Sequence, residues 1–255
     1  MSGAPVLEVK GIRKAFGAIK ALNGVDITVA AGAIHGIIGP NGSGKTTLFN
    51  CITGLLRADA GSVRLDGRDI TSLPSHAIAN GGIRRTFQAG KLVPGMTVLE
   101  NVMSGINDRI RVSAVDLLRA PFRASRREEG IRERARRALD LVGMPEAAER
   151  WAADLVWTER QLVQIARALI AEPRVLLLDE PASGMGVKEA EKVERILRGA
   201  RGRGMTVVVV SHDVKLLMNL SDLVTVLNFG EKIAEGEPSV VQNDPRVLEA
   251  YLGTQ

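Results

Sequence analysis

The run Gly39-Pro40-Asn41-Gly42-Ser43-Gly44-Lys45-Thr46-Thr47 constrains this chain more than any other segment. It fits G-x-x-x-x-G-K-[ST], the pattern of a loop that wraps a phosphate, and its flanks fit the same device. Ala33 to Ile38 ahead of it predicts a buried strand, and Thr46 to Ile52 behind it predicts the start of a helix. The glycines let the backbone curl so that several N–H groups point inward, at the positive end of that helix. Lys45 is then placed to meet β- and γ-phosphates, and the Thr46 hydroxyl to hold Mg²⁺. A glycine-rich turn before an ordinary helix is the plainer alternative. The strand and helix in correct order count against it.

The chain has 255 residues, enough for one large core or one core with an inserted subdomain. It is 45% hydrophobic but only 3% aromatic, which suits an aliphatic α/β protein better than a β-sandwich. The formal charge of +5 is mostly an arginine excess, concentrated between Arg119 and Arg137. Such a stripe can bind nucleic acid or anionic headgroups. Here Glu128, Glu129 and Glu133 interrupt it, so a solvated helix face is expected, with no nucleic acid as partner. The single Cys51 excludes an internal disulfide and falls where a helix should pack on the core. His35 and His76 read as structural. With no visible signal peptide and no apolar run of membrane-spanning length, a cytosolic chain is expected.

Short strands are predicted at Val6 to Lys10, Val25 to Val29 and Ser62 to Leu65, the last followed by a turn at Asp66-Gly67-Arg68. From about Val98 to Leu169 the pattern turns helical, with breaks at Pro121 and Gly143-Met144-Pro145. Strands return at Val175 to Leu178, Thr206 to Val210 and Leu223 to Asn228, before a turn and a C-terminal helix ending near Tyr251. Continuous apolar strands alternating with helices predict a mainly parallel sheet covered on both faces. The whole chain, 1–255, reads as one domain with a helical subdomain, 98–169, inserted in it.

Val175-Leu176-Leu177-Leu178-Asp179-Glu180 is an apolar strand ending in two carboxylates. A buried strand would deliver Asp179 to the edge beside the phosphate loop, where it could hold the Mg²⁺ hydration shell. Glu180, one residue on, points elsewhere and could polarise a water for in-line attack. With these motifs the chain resembles the nucleotide-binding subunits of ABC transporters. The resemblance implies a P-loop NTPase fold of ABC type, with a mixed, mainly parallel sheet, an inserted helical subdomain and an N-terminal antiparallel β-subdomain. It implies ATP and Mg²⁺ as ligands. In Thr86-Phe87-Gln88, Gln88 would contact the metal and the attacking water; in Ser211-His212-Asp213, His212 would contact the γ-phosphate; Phe16 would stack on adenine.

Three stretches narrow the resemblance: Arg85-Thr86-Phe87-Gln88, Met96 to Val102, and the tail Pro245 to Gly253. Together they are similar to the ATP-binding subunits of branched-chain amino-acid importers. That implies peripheral attachment to the cytoplasmic face of the inner membrane and hydrophobic permease partners. It also implies a second ATPase subunit, a different one being expected over a second copy, and indirect service to a periplasmic solute-binding protein.

Two segments depart from the family pattern. Where a signature of the type L-S-G-G-Q or L-S-Y-G-E is expected, the chain reads Leu155-Val156-Trp157-Thr158-Glu159. In the family this segment reaches the ATP of the other subunit through a serine hydroxyl and glycine N–H groups. Val156 has no donor, and Thr158 brings a β-branched side chain where close approach is needed. A lost hydrogen bond to a phosphate costs about 1.5–3 kcal/mol. The interface loop Ser183-Gly184-Met185-Gly186-Val187 likewise lacks its polar residue, at Gly186. Groups acting on the chain's own ATP are intact and those serving its partner are altered, so functional asymmetry is expected. Tolerated drift, with the helix dipole doing the binding, is the alternative. A nucleotide-gated regulator with little hydrolysis, or the ATPase of a lipid or polysaccharide exporter, also stays open. A DNA-repair ATPase does not, because the helical region is too short for its coiled coil.

Overall fold

The computed structural model describes residues 5–86, 92–106 and 121–252, with backbone only at 121–127 and 252. The chain divides into two compact units, Met1–Gln88 with Pro173–Gln255, and Ala89–Glu172.

The first unit holds both sheets. β1 (Pro5–Phe16) and β2 (Ile19–Ala30) form an antiparallel hairpin, extended through β4 (Ala60–Leu65) to the two-residue β5 (Arg68–Asp69), in the order β2-β1-β4-β5. The six-stranded sheet runs β10 (Glu231–Gly236), β9 (Leu223–Asn228), β3 (Ile34–Ile38), β8 (Thr206–Val210), β7 (Val175–Asp179), β6 (Ile83–Arg85). All its pairs are parallel except β10 with β9. Every residue of β3, β7 and β8 is buried, as continuous apolar runs require when both faces are covered. One core cluster joins Val9, Ile12, Val25 and Ile27 of the antiparallel sheet to Ile37, Leu177 and Val208, through Leu48 and Phe49 of α1 (Lys45–Ile52). The unit is completed by α2 (Ser75–Asn80), α6 (Val187–Gly202), α7 (Val214–Leu220), α8 (Pro238–Val241) and α9 (Pro245–Leu252).

The second unit contains α3 (Val98–Met103), α4 (Pro121–Leu141) and α5 (Trp157–Leu169), with single 3₁₀ turns at Pro145–Ala147 and Ala152–Asp154. Thr97 caps α3 in both directions: its hydroxyl accepts from Glu100 N, and its own N–H donates to Glu100 Oε2 at 2.8 Å. Val98, Leu99, Val102, Ala135, Leu139, Val163 and Ala166 are fully buried. Gly105 passes so close to α5 that an added Cβ would collide with the Arg167 carbonyl. The arginine stripe is a solvated face where its side chains are described. Arg132, Arg136 and Arg137 are paired there with Glu128, Glu129 and Glu133.

Several sequence expectations need correction. β1 and β2 are each twelve residues long, not five, because register shifts let them twist past polar positions without losing their pairing. β6 and β10 were not anticipated. β6 has one fully buried position, and β10 buries Ala234 alone, so neither edge strand carries an apolar run. Pro121 opens α4 instead of breaking it, where its missing N–H costs nothing. Cys51 is buried and free, and burial pushes its thiol up to about 11.

His35 lies inside β3, and its Nε2 is 2.8 Å from Thr225 Oγ1. The Thr225 hydroxyl spends its only proton on Glu235 Oε2, also at 2.8 Å. It therefore accepts from His35, which fixes the neutral Nε2–H tautomer. Burial is the main cause pushing His35 down to about 4, with Glu235 opposing and Lys232 assisting. A folded value below the unfolded one means the native state takes up fewer protons than the denatured chain. Stability from this group is complete above pH 6.5 and lost as pH falls toward 4. At pH 5 the loss is about 2 kcal/mol relative to pH 7.5. Urea unfolding at both pH values checks it: the loss should shrink by that amount in His35→Gln, which cannot titrate.

Candidate nucleotide site

β3 ends at Ile38, and the loop Gly39 to Gly44 turns directly into α1, whose first residue is Lys45. Two glycines in the loop are dictated by space. A Cβ on Gly39 (φ 155°) would stand 2.1 Å from the Leu227 carbonyl oxygen. One on Gly44 (φ 105°) would stand 2.5 Å from the Ala21 carbonyl oxygen. Loop, β1–β2 hairpin and β9–β10 hairpin are thus in backbone contact. Gly230 N donates to Ser43 O and Asn23 N to Gly230 O, at 3.1 and 2.8 Å. At the other end of the loop the buried Tyr251 phenol of α9 lies against the Gly39 backbone, and burial pushes it up to about 12.

Lys45 is bent back over its own loop. Its Nζ donates to the carbonyls of Gly39 (2.7 Å) and Pro40 (2.8 Å) and to Ser43 Oγ (3.3 Å). Burial lowers its pKa, and the charges of Glu180 and Asp179 oppose that shift. The ammonium is therefore poorly hydrated and ringed by acceptors that phosphate oxygens can replace.

Because β3, β7 and β8 run parallel, their C-terminal ends share one edge, and that edge carries the chemistry. A cleft of about 280 Å³ is lined by Asn41 to Thr47, Asp179, Glu180, Ala21 and Val210. Asp179 ends β7 with its carboxylate Oδ2 2.7 Å from Arg85 Nη2. Glu180 follows with φ 53°, left-handed backbone that a non-glycine residue holds at about 1–3 kcal/mol. Its N–H donates to Val210 O at 2.8 Å, which secures the turn. The Glu180 Oε2 accepts from Ser211 Oγ (3.2 Å), and His212 Nδ1 stands 2.8 Å from the same oxygen. A carboxylate held by a hydroxyl and an imidazole beside the phosphate loop can orient a water against a bound phosphate. One hydroxyl, Thr46, and one carboxylate, Asp179, suit Mg²⁺, which keeps most of its waters and shares phosphate oxygens.

Of the residues singled out from sequence, the phosphate loop, Asp179, Glu180 and His212 come together in the first unit. Phe16 ends β1 about half exposed, with Lys14 Nζ 5.8 Å from its ring centroid. Gln88 lies outside the described residues. The altered signature belongs to the second unit. There Leu155 is buried, while Val156 at α5's N-terminus and Trp157 are exposed. The Val156 side chain has no acceptor to offer the first turn, so only half of a capping box forms, Val156 N to Glu159 Oε2 at 3.1 Å. Sequence reasoning missed the contacts made by Arg85, Ser211 and Tyr251. For Ser211 the signal was its place beside His212; for the other two no local pattern announces the partner.

Comparison with known proteins decides the family. The model for "ABC transporter" matches residues 22–183, and that for "Branched-chain amino acid ATP-binding cassette transporter" matches residues 231–255. The chain belongs to the ABC transporter ATP-binding family. It is 39% identical over 252 residues to the high-affinity branched-chain amino acid transport ATP-binding protein BraF of Pseudomonas aeruginosa, covering 98% of each chain. Among solved structures it is similar to the ADP conformation of MJ1267, an ATP-binding cassette of an ABC transporter. That likeness has TM-score 0.84 and 34% identity over 98% of this chain and 99% of that one. The dimeric cassette MJ0796 bound to ADP and Pi matches with TM-score 0.76 and 29% identity, over 91% and 98% of the two chains. The mainly parallel sheet and antiparallel N-terminal sheet expected from sequence are those of the cassette.

The contact at Gly39 gives a direct test. Gly39→Ala forces the loop away from Leu227, and nucleotide affinity should fall at least about tenfold, the equivalent of one 1.4 kcal/mol step. Equilibrium binding of a fluorescent ATP analogue measures this. Undiminished affinity would mean the loop does not need its present path.

Proposed function

We propose that this cassette binds and hydrolyses ATP to power import of branched-chain amino acids or related small polar solutes. One observation carries the reading: the phosphate loop, Asp179 and Glu180 share one strand edge in a chain 39% identical to BraF along 98% of its length. The match of residues 231–255 to the branched-chain amino-acid model supports import over lipid or polysaccharide export.

The loop N–H groups and Lys45 hold the β- and γ-phosphates, with Asn41 to Thr47 forming the cradle and the exposed Phe16 ring offering a surface for adenine. Mg²⁺, held by Thr46, Asp179 and Gln88, would neutralise charge on the phosphate oxygens. Glu180 takes a proton from the attacking water as oxygen approaches the γ-phosphorus. Ser211 and His212 lie against the Glu180 carboxylate and would keep it aimed, and in this reading His212 also meets the γ-phosphate. No described helix is long and apolar enough to cross a membrane. In this reading the chain acts as a peripheral subunit on the cytoplasmic face, attached to permease subunits and serving a periplasmic solute-binding protein.

The dimeric form of MJ0796 supports action as a pair. Leu155-Val156-Trp157-Thr158-Glu159 is poorly suited to a partner's γ-phosphate, since the exposed Val156 offers no side-chain donor and Thr158 puts a β-branched side chain where a glycine is expected. The pairing we favour is with a different ATPase subunit. This chain's own site is completed by that partner and turns over, while the partner's site binds ATP and turns over slowly. A regulator with little hydrolysis is the second reading, and the same altered segment supports it.

Glu180→Gln should bind ATP with undiminished affinity and lose at least about 100-fold in turnover, the lower range for a general base. Phosphate release and nucleotide binding measured on one preparation test both halves. Normal turnover would remove Glu180 from the reaction. For the asymmetry, the lone chain should hydrolyse slowly, and Val156→Ser with Thr158→Gly should accelerate it. Fast hydrolysis by the lone chain, unchanged by restoration, excludes the asymmetric scheme. Absent hydrolysis even beside its partner favours the regulator.

A further inference from the structure

The geometry around β6 points to a role for Arg85 that the phosphate-loop chemistry does not supply. Arg85 is the last residue of β6, on the stretch by which the chain leaves the first unit. It pairs with Leu177 across the parallel β6–β7 ladder. Leu177 and Asp179 are two apart on β7 and so share one face of the sheet. The guanidinium therefore reaches the carboxylate across the ladder. Arg85 Nη2 stands 2.7 Å from Asp179 Oδ2, and the two side chains are only 6% and 4% exposed. Its Nη1 donates to Asn50 Oδ1 on α1, and its Cζ lies 5.4 Å from the centre of the Phe49 ring. One side chain thus ties the strand leading to the second unit, the strand carrying Asp179, and the helix that follows the phosphate loop.

We infer that Arg85 is a positioning residue: it fixes the Asp179 carboxylate on one oxygen and balances its charge next to the phosphate loop. This inference rests on the nucleotide-site reading above. Four buried ionisable side chains meet at this edge, Lys45 and Arg85 against Asp179 and Glu180. The set is balanced only while Arg85 is present. A guanidinium suits the place because its rigid planar fork sets one arm on Asp179 and another on Asn50 in fixed directions, where an ammonium is a single point charge on a flexible stem. Removing it leaves an uncompensated carboxylate, with two consequences of opposite sign. A divalent cation alone should bind more tightly, because Asp179 is released and the local charge is more negative. ATP without a cation should bind more weakly, for the same electrostatic reason.

The test uses the purified full chain and Arg85→Met. ATP affinity is measured in EDTA by equilibrium binding of labelled ATP, and Mn²⁺ affinity without nucleotide by electron paramagnetic resonance of the free ion. The expected result is ATP binding at least about fivefold weaker and Mn²⁺ binding at least about fivefold tighter, the size of effect one charge exerts at about 4 Å even when water screens it fully. Arg85→Lys restores the charge and should return ATP affinity in EDTA to within about twofold of the parent. Two unchanged affinities, or two that fall together with the melting temperature, overturn the inference. Should Arg85→Met not fold, Asn50→Ala decides the matter. It frees one arm of the guanidinium at constant charge, so kcat should fall about threefold or more with KM for ATP unchanged. An unaltered kcat there refutes positioning. A parent chain that binds no ATP in either condition refutes the nucleotide site itself, which is a different failure.

Discussion

Backbone packed against backbone at the phosphate loop is the constraint on which the rest depends. Gly39 sits against the Leu227 carbonyl and Gly44 against the Ala21 carbonyl, at distances that leave no volume for a methyl group. The loop is consequently the point where the antiparallel sheet, the β9–β10 hairpin and the six-stranded sheet are locked together. Those walls leave the loop little freedom to take another course. Tyr251 closes the same region from the C-terminal helix. A cradle built this way is set before any ligand arrives, so binding loses little to ordering of the loop.

Electrostatics then determines what the cradle can hold. Lys45, Asp179 and Glu180 are at most about a tenth exposed, too little for water to screen them well. Each is satisfied by a neighbour: Lys45 by loop carbonyls, Asp179 by Arg85, Glu180 by Ser211 and His212. The left-handed turn at Glu180 is tolerated because its N–H is tied to Val210 and its carboxylate to Ser211, with His212 beside it. Strain and bond formation coincide at the residue proposed to direct attack on a phosphate, while the strand before it stays regular.

Much of this was legible in the chain, and the limits of legibility have physical causes. β8 and β9 were read to the residue because buried strands in a parallel sheet are continuous apolar runs. β6 and β10 escaped because edge strands bury one or two side chains and carry charge on the others. The phosphate loop and the paired carboxylates were readable because their chemistry is local in sequence. The Arg85–Asp179 pair was not, since 94 residues separate the partners and only the β6–β7 register brings them together. Tyr251 against Gly39 is hidden for the same reason. Position along the chain reveals a functional group; the contacts that aim it appear only once the strands are paired.

The altered signature can be judged by the same standard, since an eroded segment and a repurposed one leave different traces. Erosion would show in the segment's own packing. Instead Leu155 is buried, Arg160 Nε donates to the Leu155 carbonyl at 2.9 Å, and Arg150 grips Glu159 with two hydrogen bonds of 2.7 and 3.1 Å. Glu159 in turn receives the Val156 N–H, supplying from the first turn an acceptor that helps define the helix start. Of the two departures from the family pattern, Val156 does no such work, since it is 61% exposed. It stabilises its own fold little and presents apolar surface where a donor to phosphate is expected from the family. Exposed hydrophobic side chains on a well-knit helix start alter what the segment offers a partner while leaving the helix itself intact. That distinction favours a functional asymmetry between two nucleotide sites over loss of the segment's structure.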